Sequence, residues 1–443
     1  MDKFIITGGR KLFGSVEISG SKNAALPIIS AAILGDGKTI LHNIPDVRDI
    51  RTLIKILEYL GAKIKYSDNT LEIDPSGINR YTAPYEFVST MRGSICLLGP
   101  LLAKYREARF SMPGGCVIGT RPIDLHIKGL KKLGVDITIE EGYIIGKARK
   151  LKGATIFLGG NFGSSVLATA NVMSAATLAE GETFIEFASC EPEIVDLARV
   201  LKNMGAKIYG EGSHCIRIEG VKKLKGTEYS IIPDRIEAGT YVLAGCITSS
   251  SITVKNFVSS HLLSFLDKIE EAGVSFTTGN DFIKIHKSKK RWGSVDIVTL
   301  PYPGFPTDLQ AQMTAFLTLA DGISTVTEKI FPERFIHIGE LNRLGANITL
   351  DGPKAVIKGV DKLKGAKTMA SDLRASAAIV LAALAAEGET EIARIYHLDR
   401  GYEKFEAKLS ALGADIRRFP MRSQGVIFKK VYRQNKPPIP PEG

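Results

Sequence analysis

The apolar positions of this chain follow one pattern that returns six times. Each copy is a helix-spaced apolar run that ends in Leu, Met or Ala before a glycine, as in ILEYLGAKI, LKKLGVDI, LKNMGAKI, IEEAGVSF, LNRLGANI and LSALGADI. The glycines are Gly61, Gly134, Gly205, Gly273, Gly345 and Gly413, with successive spacings of 73, 71, 68, 72 and 68 residues. The pattern predicts a helix closed by a left-handed glycine and then a hairpin. The chain is therefore predicted to be a six-fold repeat.

A second pattern precedes the first in most copies. It reads SAAILGDGKTILHNI, SAATLAEGETFIEFA, LAGCITSSSITVKNF, TAFLTLADGISTVTE and LAALAAEGETEIARI. Each of these segments predicts a helix of small residues, a turn and a strand, so a unit of about seventy residues is strand, helix, strand, helix and hairpin. The fold class is α/β or α+β, and six units could form one ring or solenoid, or two globes of three.

Composition narrows the class of protein only slightly. With 443 residues, 44% hydrophobic and 24% charged, the chain is typical of a globular protein with material for two large domains. A net charge of +11 suits an anionic partner, which could be nucleic acid, a membrane surface or a phosphorylated small molecule. The densest basic run, KSKKRW, reads as a solvated turn, and a single Trp gives little support for base stacking, so no nucleic-acid partner is expected.

Several kinds of site are not indicated, because their characteristic motifs are missing or stand in the wrong context. The five cysteines are Cys96, Cys116, Cys190, Cys215 and Cys246. Their number is odd and no two form a CxxC pair, so neither a disulfide framework nor a zinc site is indicated. The histidines form no HExxH motif, and no metal or other cofactor is expected. The GKT of AILGDGKT follows a helix and precedes a strand, which is the reverse of a phosphate-binding loop.

The termini and apolar runs bear on location. No long apolar segment opens the chain, and ASAAIVLAALAA is too short to span a bilayer. We therefore expect a cytoplasmic protein without a membrane partner. The proline-rich tail, residues 431–443, is predicted to be disordered.

The second copy departs most from the repeat. In place of a short turn it carries SMPGGCVIGTRPIDLH, residues 111–126, where glycines accompany Cys116, Arg121, Asp124 and His126. One interpretation is a mobile lid whose cysteine is exposed and partly thiolate; the other is a plain surface loop with an incidental cysteine. Cys96 and Cys246, on apolar small-residue helices, are predicted to be core residues.

Other departures place charged or amide side chains at predicted helix starts and in nearby loops. These are Lys22, Asn23, Arg92, Asp308, Arg334, Asp372, Arg374 and Arg400. Each alone could be a helix cap or a surface ion pair. Together they indicate a cleft between domains where helix N-termini converge on a substrate with several phosphate or carboxylate groups.

Seven motifs in order then identify a family. GSKNAALP, PGGCVIGTRPIDLH, EPEIVD, IIPDRIEAGT, PGFPTDLQAQ, SDLRASAA and YHLDRGYE resemble, across residues 1–430, the enolpyruvyl transferases of peptidoglycan synthesis. The resemblance implies an inverted α/β barrel of two domains, each of three βαβαββ units, joined by a double crossover. One domain would span residues 22–227, and the other would combine residues 1–21 with 228–430.

The resemblance also implies a reaction. The enolpyruvyl group of phosphoenolpyruvate would pass to the 3-hydroxyl of UDP-N-acetylglucosamine with release of phosphate, and no cofactor or metal would be needed. Lys22, Arg121 and Arg400 would bind the anionic groups of phosphoenolpyruvate. Asn23 would contact the sugar and the tetrahedral intermediate, and Asp308 would be the base at the 3-hydroxyl. Cys116 would protonate C3 of phosphoenolpyruvate and form a covalent adduct with it.

The remaining residues carried over line the nucleotide-sugar site or support its closed state. The lining residues are Arg92, Arg121, Pro122, Ile123, Asp124, Leu125, Gly163, Ser164, Ser165, Val166, Asp308 and Ile330. The residues that support the closed state are Arg334, Asp372 and Arg374. Two positions depart from the family: Leu167 stands where a glycine is usual and Gly163 where a lysine is common, which alters the shape and charge of the nucleotide side.

The sequence allows three rival interpretations. 5-Enolpyruvylshikimate-3-phosphate synthase has the same fold and cosubstrate, but it lacks a cysteine lid, and its phrase GNAGTAMR is replaced here by VSTMRGS. RNA 3'-phosphate cyclase would suit the basic charge, but its nucleotidylated C-terminal histidine is not evident. A repeat scaffold without enzymatic activity would not need the charged helix starts to differ between copies.

Overall fold

The computed structural model describes residues 2–112, 123–288 and 290–420. The predicted site residues Cys116, Arg121 and Pro122 lie outside the described residues, as does the tail at 431–443. The strands are β1 Asp2–Thr7, β2 Phe13–Glu17, β3 Gly35–Asp36, β4 Thr39–His42, β5 Lys63–Ser67, β6 Thr70–Asp74, β7 Thr82–Ala83, β8 Glu107–Ser111, β9 Asp136–Glu140, β10 Tyr143–Lys147, β11 Thr155–Phe157, β12 Gly159–Gly160, β13 Gly163–Ser164, β14 Glu182–Glu186, β15 Lys207–Tyr209, β16 Cys215–Glu219, β17 Leu224–Lys225, β18 Glu228–Ser230, β19 Ser251–Lys255, β20 Phe276–Thr278, β21 Phe282–Ile285, β22 Asp296–Val298, β23 Ile323–Thr327, β24 Asn347–Asp351, β25 Lys354–Lys358, β26 Lys367–Met369, β27 Glu389–Ala393 and β28 Asp415–Pro420.

The helices alternate with these strands. They are α1 Lys22–Ala31, α2 Arg48–Leu60, α3 Tyr85–Val88, α4 Leu98–Tyr105, α5 Asp124–Lys132, α6 Val166–Ala176, α7 Pro192–Asn203, α8 Arg235–Ile247, α9 Leu263–Glu271, α10 Gln310–Leu317, α11 His337–Arg343, α12 Leu373–Ala385 and α13 Phe405–Ala411. Short 3₁₀ segments occupy Ala32–Leu34, Pro75–Gly77, Arg92–Leu97, Ser259–His261, Thr307–Leu309 and Ile395–Arg400.

The strands form a four-stranded sheet in each of six units within the described residues. In every sheet the first two strands are parallel and the next two neighbours are antiparallel. The orders are β18-β4-β6-β5, β7-β8-β10-β9, β11-β14-β16-β15, β2-β19-β21-β20, β22-β23-β25-β24 and β26-β27-β1-β28. The structure thus confirms the predicted six-fold βαβαββ repeat.

The chain crosses twice between two groups of three units. The first unit takes its edge strand β18 from the middle of the chain, after the third unit, and the fourth takes β2 from the N-terminal segment. β1 completes the sixth sheet by pairing with β27 and β28. Because β18 lies in a first-group sheet, that group extends to Ser230, just beyond the predicted limit at 227.

Two separate hydrophobic cores accompany this division. One is built from residues between 24 and 231, here called the first half, and the other from residues 4–18 with 236–416, here called the second half. The chain is therefore two globes of three units rather than one ring or solenoid. Cys96 belongs to the buried part of the first half and Cys246 to the core of the second, as predicted.

Helices of small residues stand at the centre of each half, with the sheets outside. In the second half α8, α10 and α12 pack on one another, and nearly every residue of each is buried. Small side chains permit this close approach: a Cβ added to Gly99 of α4 would lie 2.3 Å from the backbone oxygen of Asn171 in α6. The outer helices are amphipathic and end at the six repeat glycines, whose φ angles lie between 86° and 109°. The predicted left-handed helix ends are confirmed.

Candidate functional site

Some of the predicted charged residues lie at helix starts, as expected from the sequence. α1 begins at Lys22, and the Ser21 hydroxyl caps it by accepting a hydrogen bond from the Ala24 backbone N–H. Asp372 caps α12 by accepting hydrogen bonds from the backbone N–H groups of Arg374 and Ala375, at 2.8 and 3.0 Å. The starts of α1 and α12 come from different halves but lie close together, since a Cβ added to Gly401 would be 3.4 Å from Lys22 Cδ and 2.7 Å from Leu373 Cδ2.

Asp308 is the centre of the first charged cluster. It lies in the 3₁₀ turn Thr307–Leu309 that precedes α10. Arg334 Nη1 donates to its Oδ1 at 2.8 Å, and Arg374 Nη2 donates to its Oδ2 at 3.1 Å. Asn23 of the first half donates to the same Oδ2 at 3.4 Å. The structure therefore brings four of the predicted residues together across the two halves.

The surroundings of Asp308 decide its protonation. Burial alone would raise the pKa of the carboxyl group, but the charges of Arg374 and Arg334, with a smaller effect from Lys22, hold that pKa well below its ordinary value of 3.8. Both guanidinium groups are almost fully buried, whereas 28% of the Asp308 side chain is exposed. Asp308 is therefore an ionised carboxylate that remains partly exposed.

A second cluster joins Lys22 to Arg400 through Asp49. Lys22 Nζ lies 3.3 Å from Asp49 Oδ2, and Arg400 Nε donates to Asp49 Oδ1 at 3.0 Å. Asp49 is buried in the first turn of α2, and Arg400 ends the 3₁₀ segment Ile395–Arg400 in the other half. Sequence reasoning missed Asp49, because an acidic residue in the first turn of a helix is ordinary.

A third contact between the halves was also missed. Arg235, the first residue of α8, forms a bidentate ion pair with Glu193 of α7, with Nε–Oε1 2.9 Å and Nη2–Oε2 3.2 Å. Burial raises the pKa of the neighbouring Glu191 carboxyl group, and Arg235 only partly offsets this. The motifs EPEIVD and IIPDRIEAGT contain these residues, so the signal was present in the sequence but without a role attached.

The residues predicted for the nucleotide side lie on three neighbouring elements. Ile123 precedes α5, which Asp124 and Leu125 open, while Gly163 and Ser164 form β13. Ser165 caps α6, of which Val166 is the first residue, and Leu167 packs against the core of the first half.

Gly163 is held close to the second half. Its φ is 99°, and a Cβ at this position would lie 2.7 Å from Cγ of Pro301. Both facts disfavour any side chain here, which accounts physically for glycine at this position.

Arg92 and Ile330 are placed by their neighbours. Burial lowers the pKa of His126 to about 3, with a further contribution from the positive charge of Arg92, so His126 is neutral and Arg92 lies near α5. The Ile330 backbone N–H donates to Glu328 Oε1 at 2.8 Å, while Glu328 Oε2 accepts from the Thr307 hydroxyl beside Asp308. Glu328 therefore links Ile330 to the Asp308 cluster.

Neither a metal-binding cluster nor a membrane-spanning helix is found in the part of the chain that the structure describes. There, no group of three or more His, Cys, Asp or Glu side chains is arranged to hold a metal ion. Across the same residues, no helix has the length and apolar character needed to cross a membrane.

Comparison with known proteins agrees with this architecture. A family model described as EPSP synthase (3-phosphoshikimate 1-carboxyvinyltransferase) matches residues 6–409. Among solved structures, the enolpyruvyl transferase NikO from Streptomyces tendae superposes with a TM-score of 0.85 at 26% identity, covering 94% of this chain and 98% of that one. An EPSP synthase from Acinetobacter baumannii, with a TM-score of 0.74 at 18% identity, covers 95% of this chain and 100% of its own; it shows the shared fold alone.

Two relatives of higher identity carry the same name. UDP-N-acetylglucosamine 1-carboxyvinyltransferase of Geotalea daltonii is 52% identical over 419 residues, which cover 94% of this chain and 99% of that protein. The protein of the same name from Myxococcus xanthus is 50% identical over 422 residues, with the same coverage of both chains. The chain therefore belongs to the enolpyruvyl transferase family, and within it to the UDP-N-acetylglucosamine 1-carboxyvinyltransferases.

Proposed function

We propose that this protein transfers the enolpyruvyl group of phosphoenolpyruvate to the 3-hydroxyl of UDP-N-acetylglucosamine and releases phosphate, the first committed step of peptidoglycan synthesis. The observation that carries the proposal is the ionised Asp308 carboxylate, which contacts Asn23 of the first half and lies between two buried arginines of the second. A base, an amide and cations from both halves are the groups that this reaction needs. We place the enzyme in the cytoplasm.

The cations account for binding of phosphoenolpyruvate. Lys22 and Arg400 converge on one carboxylate, Asp49, from opposite halves, and an anionic substrate would compete with Asp49 for them. Nη1 of Arg374 is buried without a hydrogen-bond partner among the described residues, and such a donor is costly unless a ligand satisfies it. Arg121, which the family resemblance assigns to phosphoenolpyruvate binding, would add a further positive charge.

Asp308 and Cys116 would move the protons. The Asp308 carboxylate takes the proton of the sugar 3-hydroxyl while that oxygen bonds to C2 of phosphoenolpyruvate, and the Cys116 thiol protonates C3. The Cys116 thiolate left by this step then takes a proton back from C3 while the bond between C2 and the phosphate oxygen breaks, which releases phosphate and leaves the enol ether.

The two arginines make Asp308 a weak base as it stands, because they stabilise its ionised form. An anionic substrate that draws Arg374 toward itself would raise the basicity of Asp308. Proton abstraction would thus begin only when phosphoenolpyruvate is bound.

The substrate pair is tested with the purified enzyme. Phosphate release from phosphoenolpyruvate is expected only when UDP-N-acetylglucosamine is present, with the enolpyruvyl ether detected by mass spectrometry. Release with shikimate 3-phosphate in its place, or no release with either acceptor, would overturn the proposal.

The role of Cys116 is tested by alkylation of the native enzyme with iodoacetamide. Cys96, Cys190 and Cys246 are buried, whereas Cys215 is exposed and serves as an internal control. Phosphoenolpyruvate and UDP-N-acetylglucosamine together are expected to slow alkylation of Cys116 by about tenfold at saturation, because only the free site reacts. Peptide mass spectrometry should find Cys215 alkylated at the same rate with and without substrates. Equal protection of both thiols, or of neither, would remove Cys116 from the site.

A further inference from the structure

Tyr402 is a buried tyrosine next to the site that no step of the proposed reaction uses. It lies two residues after Arg400 and is only 2% exposed. The centroid of its ring is 5.3 Å from Cζ of the Arg374 guanidinium, a cation–π contact. The ring also packs on Phe405, with centroids 4.8 Å apart, so it cannot readily move away from Arg374.

The Tyr402 hydroxyl has a defined place in a buried hydrogen-bond network. Thr240 of α8 donates its only hydroxyl proton to the Ile236 carbonyl oxygen at 2.8 Å. At the 2.9 Å contact between the two hydroxyl groups, Tyr402 must therefore be the donor. The Tyr402 oxygen then accepts from Gln312 Nε2 at 3.1 Å.

Gln312 carries this network to the catalytic turn. It is fully buried in α10, and the same Nε2 donates to the backbone oxygen of Asp308 at 3.0 Å. Tyr402 thus reaches Asp308 by two routes: its hydroxyl acts through Gln312 on the Asp308 backbone, and its ring acts through Arg374 on the Asp308 carboxylate.

We propose that Tyr402 is a positioning residue that fixes the direction of the Asp308 carboxylate relative to Arg374 and the backbone of the turn. The proposal rests on the proposed function. Tyr402 need not touch either substrate, because both of its routes end on the base. Such a residue should govern the rate of proton abstraction more than the binding of UDP-N-acetylglucosamine.

The test compares Tyr402→Phe and Tyr402→Leu with Tyr241→Phe. Tyr241 is a matched control, because it is a fully buried tyrosine of the same half. Among the described residues, its hydroxyl donates only to the Phe405 backbone oxygen, at 3.5 Å. We expect kcat to fall about tenfold in Tyr402→Phe, which loses one route, and about a hundredfold in Tyr402→Leu, which loses both. KM for UDP-N-acetylglucosamine should change by less than about threefold, as for an interaction made only in the transition state.

The pH profile of kcat/KM for phosphoenolpyruvate, which reports groups of the free enzyme, separates positioning from a general loss of packing. The charged groups that act on Asp308 are Arg334, Arg374 and Lys22, and Arg235 is close enough to interact with it. If Tyr402→Leu releases Arg374, Asp308 loses a stabilising charge and becomes protonated at a higher pH. The acidic limb of the profile should therefore shift upward in Tyr402→Leu but not in Tyr241→Phe.

The outcomes distinguish the two proposals. If the unmodified enzyme is inactive, the proposed function fails, and the positioning role that rests on it fails as well. If it is active and Tyr402→Phe matches Tyr241→Phe in kcat, the positioning role is wrong. A fall in kcat of Tyr402→Leu without a shift of the acidic limb would also contradict it. So would a fall in kcat of Tyr402→Leu if that variant and Tyr241→Phe lose thermal stability equally.

Discussion

Asp308→Asn is expected to lower kcat by about 10³-fold, because the amide cannot take the proton of the sugar 3-hydroxyl. The substitution conserves size and leaves Asn23, Arg334 and Arg374 in place, but both arginines lose the carboxylate that they contact at 2.8 and 3.1 Å. Since the pKa of Asp308 is held well below 3.8, the group is ionised across the neutral and mildly acidic range in the unmodified enzyme. Raising the pH should therefore not restore the rate of the variant, because its loss does not come from protonation of the carboxyl group.

The matched control for this prediction is Asp361→Asn. Asp361 also pairs with an arginine, Arg291, at 2.8 Å, but its side chain is 94% exposed. Steady-state phosphate release by this variant should stay within about twofold of the unmodified enzyme, because exposed ion pairs contribute little. An Asp308→Asn variant with more than a tenth of the normal kcat would show that another group is the base.

Lys22→Met is expected to lower kcat/KM for phosphoenolpyruvate by about 10³-fold, since it removes one buried positive charge from an anion site. Methionine keeps much of the length and the apolar stem, so the start of α1 should be preserved. A second effect adds to the first. Among the described residues, Asp49 would then keep only Arg400 as an ionic partner, and the stronger pairing would hold Arg400 away from substrate. KM for UDP-N-acetylglucosamine should change much less than that for phosphoenolpyruvate.

Lys38→Met provides the comparison. Lys38 also pairs with a carboxylate, Glu72, at 2.9 Å, but 56% of its side chain is exposed. Initial rates at varied phosphoenolpyruvate should be the same as for the unmodified enzyme. Equal losses in the two variants would point to a non-specific effect of charge, and an unchanged kcat/KM in Lys22→Met would exclude Lys22 from anion binding.

Local features of the fold were predictable because they depend on neighbours in the chain. The spacing of apolar residues and the glycine after each outer helix predicted all six helix ends, and positive φ angles are found at each of these glycines. The charged residues at helix starts were likewise predictable, since a helix start is marked by its own sequence. Asp372 is an example: its capping hydrogen bonds reach only to Arg374 and Ala375.

Contacts between distant residues were not predictable from these patterns. Asp49 meets Arg400 across 351 positions of the chain, and Gln312 meets Tyr402 across 90. An aspartate at a helix start can have many roles, and so can a buried tyrosine. The sequence does not distinguish these roles until the neighbours in space are known. Only the packing of the two halves, through the crossovers at β2 and β18, decides which cation each carboxylate faces.

The sequence by itself determined the repeat, its helices and their ends, and the unusual residues that break the repeat, because these follow from periodicity and local backbone preference. The seven motifs added the family and its reaction. The tertiary structure decided which residues act on one another: Arg334 and Arg374 on Asp308, Asp49 between Lys22 and Arg400, and Tyr402 behind Arg374. The physical reason is that charge interactions and hydrogen bonds depend on distance in space, which in this fold is set by helices from two cores meeting at one site.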